Sequence, residues 1–203
     1  MLARLAIVLA LTAPASASFV LSDGDFSQWS YSTFGTATPT VLDSGGNPGA
    51  RLQVTTVSGS GSGVMAIYVP AVDLILEGTS FSWSLDVLRG PGSFGQGQAI
   101  SLIIKQGDSI FADYLYVTGV QSTWTTQTFN GTLNAANFTR LTGTGSLDLS
   151  GSVSSQFGFS ASNSNSGTLT QFYDNWGLEL GGVPAPGAIA LLAVAGIISR
   201  RSR

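Results

Sequence analysis

Two kinds of side chain in this sequence have types suited to chemistry, carboxylates and aromatic rings, because the chain contains neither histidine nor cysteine. Their absence excludes zinc sites built from those residues, thiol and Ser/His/Asp nucleophilic catalysis, and an imidazole for proton transfer near neutral pH. Of the 11 acids only Glu77 and Glu179 are glutamates. Glycoside hydrolysis needs two carboxylates flanking one bond, roughly 5 to 10 Å apart, and no motif surrounds either glutamate, so the acids do not point to an enzyme. The rings suggest binding instead. A Tyr or Trp face stacks on the C–H groups of a pyranose and excludes water where it touches. Trp29, Tyr31, Trp124, Tyr173 and Trp176 have polar flanks or strand-end positions that let a ring lie at the surface, and they are the candidate ligand-binding residues, with core or edge packing as the alternative role for each. Phe81, Trp83, Phe157 and Phe159 alternate with small or polar neighbours among other apolar positions and read as core.

The elements that must hold these rings are strands. Ser80-Phe-Ser-Trp-Ser-Leu-Asp-Val87 places Phe81, Trp83, Leu85 and Val87 on one face and Ser80, Ser82, Ser84 and Asp86 on the other, the pattern of a half-buried strand. The same reading fits Ala50 to Val57, Gly63 to Val69, Ala99 to Lys105, Ile110 to Val117, Thr123 to Leu133, Gln156 to Ala161 and Phe172 to Leu180. Between the runs lie Gly-, Ser- and Asn-rich turns such as Asp43 to Gly49 and Arg89 to Gly97. The Ser58 to Gly63 loop lacks the lysine of a phosphate-binding loop. No helical stripe crosses the body, although Asn134 to Phe138 has room for one turn. Short strands with such punctuation predict an all-β fold, an antiparallel β-sandwich or jelly roll. Residues 18–182 supply the single domain, long enough for one core.

Charge narrows the partners. Between Asp23 and Glu179 the chain has all 11 acids and four bases, Arg51, Arg89, Lys105 and Arg140, a net charge of −7. Nucleic acid is excluded, because phosphate binding needs a clustered basic patch.

Both ends carry address-like segments. Met1-Leu-Ala-Arg4, the apolar run Leu5 to Ala13 and Ala15-Ser16-Ala17 are the three parts of a secretory signal peptide, residues 1–17, with cleavage expected after Ala17 by the signal peptidase of the export machinery. At the other end, residues 183–203 hold Pro184-Ala185-Pro186, an apolar run from Ala188 to Ile198 and the cluster Arg200, Arg201 and Arg203. A helix over that run would be about 16 Å long, short of the roughly 30 Å hydrocarbon core. Snorkelling arginines on the cytoplasmic side extend its reach as a membrane tether. The flanking elements are therefore expected to be an N-terminal signal helix and a C-terminal hydrophobic helix.

These features resemble two known groups. The tail is similar to the PEP-CTERM sorting signal of bacterial surface proteins, a Pro-Glu-Pro motif, an apolar helix and a terminal arginine cluster, with Ala185 standing where that motif has Glu. The resemblance implies export across the inner membrane, an exosortase-type sorting enzyme as partner, and a destination at the cell surface or in the extracellular matrix. A chain with Ala185 is either processed by a variant enzyme or left uncut. Leu21-Ser-Asp-Gly-Asp-Phe-Ser-Gln-Trp29, Trp124-Thr-Thr-Gln-Thr-Phe129 and Phe172-Tyr-Asp-Asn-Trp-Gly-Leu-Glu-Leu180 resemble the first, middle and last strands of galactose-binding-like jelly rolls, a group that includes many carbohydrate-binding modules. That implies a non-catalytic polysaccharide-binding body with no cofactor beyond a structural calcium between first and last strands, at Asp25 and Asp174. Ser27 occupies a position that is often acidic in the group. The alternative on the same residues is a turn at Asp23-Gly24-Asp25 with Asp174 in solvent, and for function a structural component of the envelope or matrix with no specific small ligand.

Overall fold

A computed structural model of the chain describes residues 16–57, 61–93, 97–119, 121–164 and 167–184. Within them the strands follow the order β1 (Ser16–Asp23), β2 (Trp29–Phe34), β3 (Thr36–Gly46), β4 (Gly49–Val57), β5 (Ser62–Val72), β6 (Ser80–Arg89), β7 (Ala99–Gln106), β8 (Ser109–Ala112), β9 (Tyr116–Val117), β10 (Thr125–Thr132), β11 (Thr139–Thr142), β12 (Ser155–Asn163) and β13 (Thr168–Pro184). One 3-10 turn, Ala135–Asn137, falls where the sequence allowed a single turn. The strands form two antiparallel sheets, one ordered β10-β6-β13-β4-β3 with β1 also on β13, the other β11-β8-β7-β12-β5-β2 with β9 also on β7. Residues 1–15 of the signal segment, the hydrophobic helix, Ala185, Pro186 and the arginine cluster lie outside the described residues, among which no helix is long and apolar enough to cross a membrane; Ser16 and Ala17 open β1. Pairing reaches Ser16↔Pro184, two residues beyond each end of the 18–182 body.

Alternation builds the core as expected. On β6, Phe81, Trp83, Leu85 and Val87 are at most 6% exposed and face Ile100, Leu102 and Ile104 of β7 and Phe157, Phe159 and Ala161 of β12 across the sandwich. Each such side chain contributes roughly 1.5 to 3 kcal/mol on burial. A buried polar network threads the same layer: Gln98 donates from Nε2 to the Val54 carbonyl (3.1 Å), the Gln98 N–H donates to Gln171 Oε1 (2.7 Å), and the Tyr173 hydroxyl donates to Gln98 Oε1 (2.6 Å). Two of these groups are amides that would cost energy if left unpaired, so the network pins the register of β4, β7 and β13.

Several strand pairs carry register shifts, and two irregularities decide where the candidate residues lie. On β13, Asp174 pairs with Asp86 and Gly177 with Ser84, so Asn175 and Trp176 stand opposite Leu85 alone, and Asn175 adopts a left-handed φ of 47°. The slip changes parity, bringing both Tyr173 and Trp176 to the inner face. β13 also changes neighbour here, from β4 up to Tyr173 to β1 from Trp176 onward.

The second irregularity splits the run Ile110 to Val117, which the sequence presents as one strand. Ala112 pairs with Ile103 and Tyr116 with Ile100, so Asp113, Tyr114 and Leu115 stand opposite Leu102 and Ser101. The Asp113 N–H still donates to the Leu102 carbonyl (3.1 Å) before the chain swings out. An unbroken strand would put Tyr116 on the face opposite Phe111; the slip turns it inward onto Trp83 and Phe129.

Candidate functional site

The second bulge builds the wall of a cleft of about 300 Å³, lined by Phe81, Asp113, Tyr114, Tyr116, Asn130, Gly131, Thr132, Asn137 and Phe138. This is the lower end of the range for small-ligand clefts. Its floor is Phe81 of β6. Gly131 of β10 sits so close to that ring that a Cβ would lie 2.8 Å from it, which is why no side chain occupies the position. The far wall is the 3-10 turn, fixed by Asn134 Oδ1 accepting from the Ala136 N–H (2.9 Å) and Glu77 Oε2 accepting from the Ala135 N–H (3.2 Å).

An aromatic ladder reaches the cleft from the core. Trp83 stacks on Phe129 with centroids 4.7 Å apart, Phe129 meets Tyr116 at 4.2 Å, and Tyr116 meets Tyr114 edge-on at 5.6 Å. Burial falls along it, from Trp83 inside to Tyr114, which is 75% exposed. A ring held by packing on one side and bare on the other is what a sugar face stacks on.

Beside the rings, Asp113 is half-buried with one oxygen, Oδ1, turned inward where no donor meets it. Burial pushes its carboxyl up to about 6. The Tyr116 hydroxyl is raised as well, by its own burial first and then by the charges of Asp113 and Tyr114. Among the described residues lining the cleft Asp113 is the one acid, so the carboxylate pair that would flank a glycosidic bond is not formed there.

The residues singled out in the sequence fall elsewhere. Trp29, Tyr173 and Trp176 are 8%, 0% and 1% exposed. Trp29 and Trp176 cross edge-to-face at 5.2 Å inside a cluster with Phe26, Tyr68 and Phe159. Interior rings have no free face for a sugar, so these three are core, and Tyr173 serves the buried amide network. Tyr31 is half-buried, its hydroxyl donating to the Phe26 carbonyl (3.3 Å), and Trp124 is half-buried just before β10. Neither lines the cleft. Tyr114 and Asp113 were missed because unbroken alternation conceals the bulge, although an acid at a position in phase with the inward Phe111 was a readable anomaly.

Asp25 and Asp174 are not paired with each other. Asp25 is exposed, and its Oδ1 accepts from the Ser27 N–H (2.8 Å) in the turn where Asp23 Oδ1 accepts from the N–H of Asp25 and Phe26 (3.0 and 2.7 Å). Asp174 is buried against Asp86 rather than facing solvent. Its oxygens accept from the backbone N–H groups of Asn47 and Asn175, while Asp86 Oδ2 accepts from the side-chain amides of Asn47 (3.0 Å) and Asn175 (2.9 Å) and Asp86 Oδ1 from the Thr126 hydroxyl (2.5 Å). Burial raises the Asp174 carboxyl, the Asn47 and Asn175 N–H groups pull it down, and Asp86 and Asp23 push it up. Calcium wants six to eight oxygens. Here the oxygens face N–H and O–H donors, and among the described residues no group of three or more acids is placed to hold a metal, so this arrangement does not fit the ion.

With this geometry the chain is similar in fold to several solved structures. The CBM22-1 xylan-binding domain from Paenibacillus barcinonensis Xyn10C superposes with a TM-score of 0.50 at 14% identity, covering 82% of this chain and 97% of that one. The family 11 carbohydrate-binding module of the cellulosomal cellulase Lic26A-Cel5E of Clostridium thermocellum gives 0.47 at 16% identity, with 82% and 95% covered. The shared feature is the fold. It is that of jelly-roll carbohydrate-binding modules. No family model and no curated protein matches the sequence.

Proposed function

We propose that the sandwich is a non-catalytic carbohydrate-binding domain and that its binding surface is the cleft between the Asp113–Leu115 bulge and the Ala135–Asn137 turn. The observation that carries this is Tyr114, a ring three-quarters exposed at the end of a ladder anchored in the core. Around it Asn130, Asn137 and Thr132 supply amide and hydroxyl partners for sugar hydroxyls, the mix of ring and directed polar groups that small-ligand sites use. The fold likeness to a xylan-binding domain supports a polysaccharide as the partner. A glycan array identifies the ligand, and NMR titration of the hit is expected to move resonances of Tyr114, Tyr116, Asn130 and Phe138 first. A blank array, or shifts confined to another face, overturns the assignment.

The same proposal places the domain outside the inner membrane, delivered by the signal peptide of residues 1–17 and tethered or sorted by the tail of residues 183–203. The pairing of Phe19 with Leu180 supports it, because the residues that follow the leader and those that precede the tail then lie at neighbouring points of one sheet. Intact-mass spectrometry of the native protein tests this reading. A mass beginning at Ser18 is expected, with a carboxyl end near Pro186 if the tail is cut and at Arg203 if it is a plain tether. A mass that includes Met1 refutes export.

A further inference from the structure

We propose that the cleft prefers a saccharide carrying an ammonium group, a hexosamine unit with a free amine, over neutral and acidic sugars. This rests on the carbohydrate-binding reading of the same cleft and adds the charge of the ligand to it.

Asp113 is the sole charged side chain among the described residues of the lining. Its inward oxygen meets no donor, so nothing on that side offsets a negative charge. Nor do the bases of the body reach it. Arg51 Nη1 donates to the Gly45 carbonyl (3.0 Å) with its guanidinium over the Phe172 ring, Arg89 donates to the Ser93 carbonyl, Lys105 Nζ to Gln156 Oε1 (3.0 Å), and Arg140 Nη1 to the carbonyls of Thr144 and Gly145 (3.1 and 2.8 Å). All four bases between Asp23 and Glu179 are thus tied down elsewhere. A carboxylate in that state is a cost that the ligand can remove. An ammonium group does so twice, pairing with the outward side of Asp113 and lying against the electron-rich face of the exposed Tyr114 ring, which meets Tyr116 edge-on at 5.6 Å. A single carboxylate does not hold a divalent metal, which wants several oxygens. A uronate would bring a second negative charge to a body already at −7.

Calorimetry on the full-length chain at pH 6.5, where the amines of linked glucosamine are still substantially protonated and Asp113 is substantially ionised, compares four hexamers: β-1,4-linked glucosamine, its N-acetylated form, cellohexaose and oligogalacturonate. The expected result is glucosamine at least tenfold tighter than cellohexaose, with galacturonate weakest. Asp113→Asn is expected to bring the glucosamine-to-cellohexaose ratio close to one, while Glu179→Gln, which removes an exposed charge outside the cleft, keeps the ratio of the parent chain. Cellohexaose equal to or tighter than glucosamine overturns the preference and leaves the carbohydrate-binding reading standing. A preference that survives Asp113→Asn also overturns it, since general attraction of a polycation to an acidic surface would then explain the ratio. Binding of no saccharide overturns both.

Discussion

The two bulges use the same device to opposite ends. At Asn175–Trp176 the slipped residue turns an indole inward, and the neighbouring carboxylates of Asp86 and Asp174 are met by amides of Asn47 and Asn175. At Asp113–Leu115 the slip lifts Tyr114 into solvent and leaves Asp113 Oδ1 without a donor. One region is closed in packing and its carboxylates are met, although the buried indole N–H of Trp176 has no partner; the other has a bare ring and an unmatched carboxylate oxygen. The difference shows that neither residue type nor bulge geometry marks a binding site. What sets the open region apart is a bare ring and an unmatched acid at one surface, whereas the closed bulge keeps its rings and its one unpaired indole N–H in the interior.

Substitutions that hit one region and spare the other test that contrast. The largest effect belongs to Trp176→Ala, which removes a core ring that meets Trp29 at 5.2 Å and Tyr68 at 5.7 Å. Core aromatic truncations cost about 3 to 5 kcal/mol, so the melting temperature followed by circular dichroism is expected to fall by roughly 10 °C or more. An unchanged melting curve would mean that this region is not closed. Tyr114→Ala comes next, and its effect should appear in binding alone. Polysaccharide retention in affinity electrophoresis is expected to drop about tenfold, with melting shifted by no more than about 2 °C. A large loss of stability in this variant would show Tyr114 to be a packing residue.

Asp113→Asn has a smaller and pH-dependent effect. The folded carboxyl titrates at about 6, above its unfolded value of 3.8. The folded form therefore favours the neutral acid, and the stability this contributes is complete below the unfolded value and lost as pH rises through about 6. About two pKa units correspond to roughly 3 kcal/mol for a sealed group, and screening at a half-exposed one brings this to about 1 kcal/mol. The variant is expected to melt about 2 to 4 °C higher than the parent at pH 7.5 and no higher at pH 4. Equal gains at both values would sink the electrostatic account. The smallest effect is on divalent cations: EDTA is expected to leave the melting temperature unchanged, because amide donors already meet Asp86 and Asp174. A fall that calcium reverses would show the amides yielding to a cation.

Most of the sandwich was legible in the sequence. Alternation located β4, β5, β6, β7, β10, β12 and β13 and put Phe81, Trp83, Leu85 and Val87 on the inner face, because half-buried strands write their orientation into every second residue. The segment Leu21 to Trp29 was harder, since it joins the end of β1, a turn and the start of β2, and the turn depends on Asp23 holding Phe26 at a left-handed φ of 56°. The site was not legible as a site. A one-residue slip is invisible to a period-two pattern until the partner strand is known, and it reverses the face of each residue after it. Hence Tyr114 drew no notice and is the exposed ring, while Trp176, singled out for its polar flanks, is core.

The pairing of Phe19 with Leu180 has a mechanical side. β13 is paired along both edges, with β6 on one and with β4 and then β1 on the other. A pull on Pro184 along the strand axis loads those rungs together in shear, and the force spreads over the middle of the first sheet. A pull that separates Phe19 from Leu180 acts on the terminal rung alone and unzips the pair from its end. The body is therefore strong against a load hung from its tail and weak against one that prises its two ends apart.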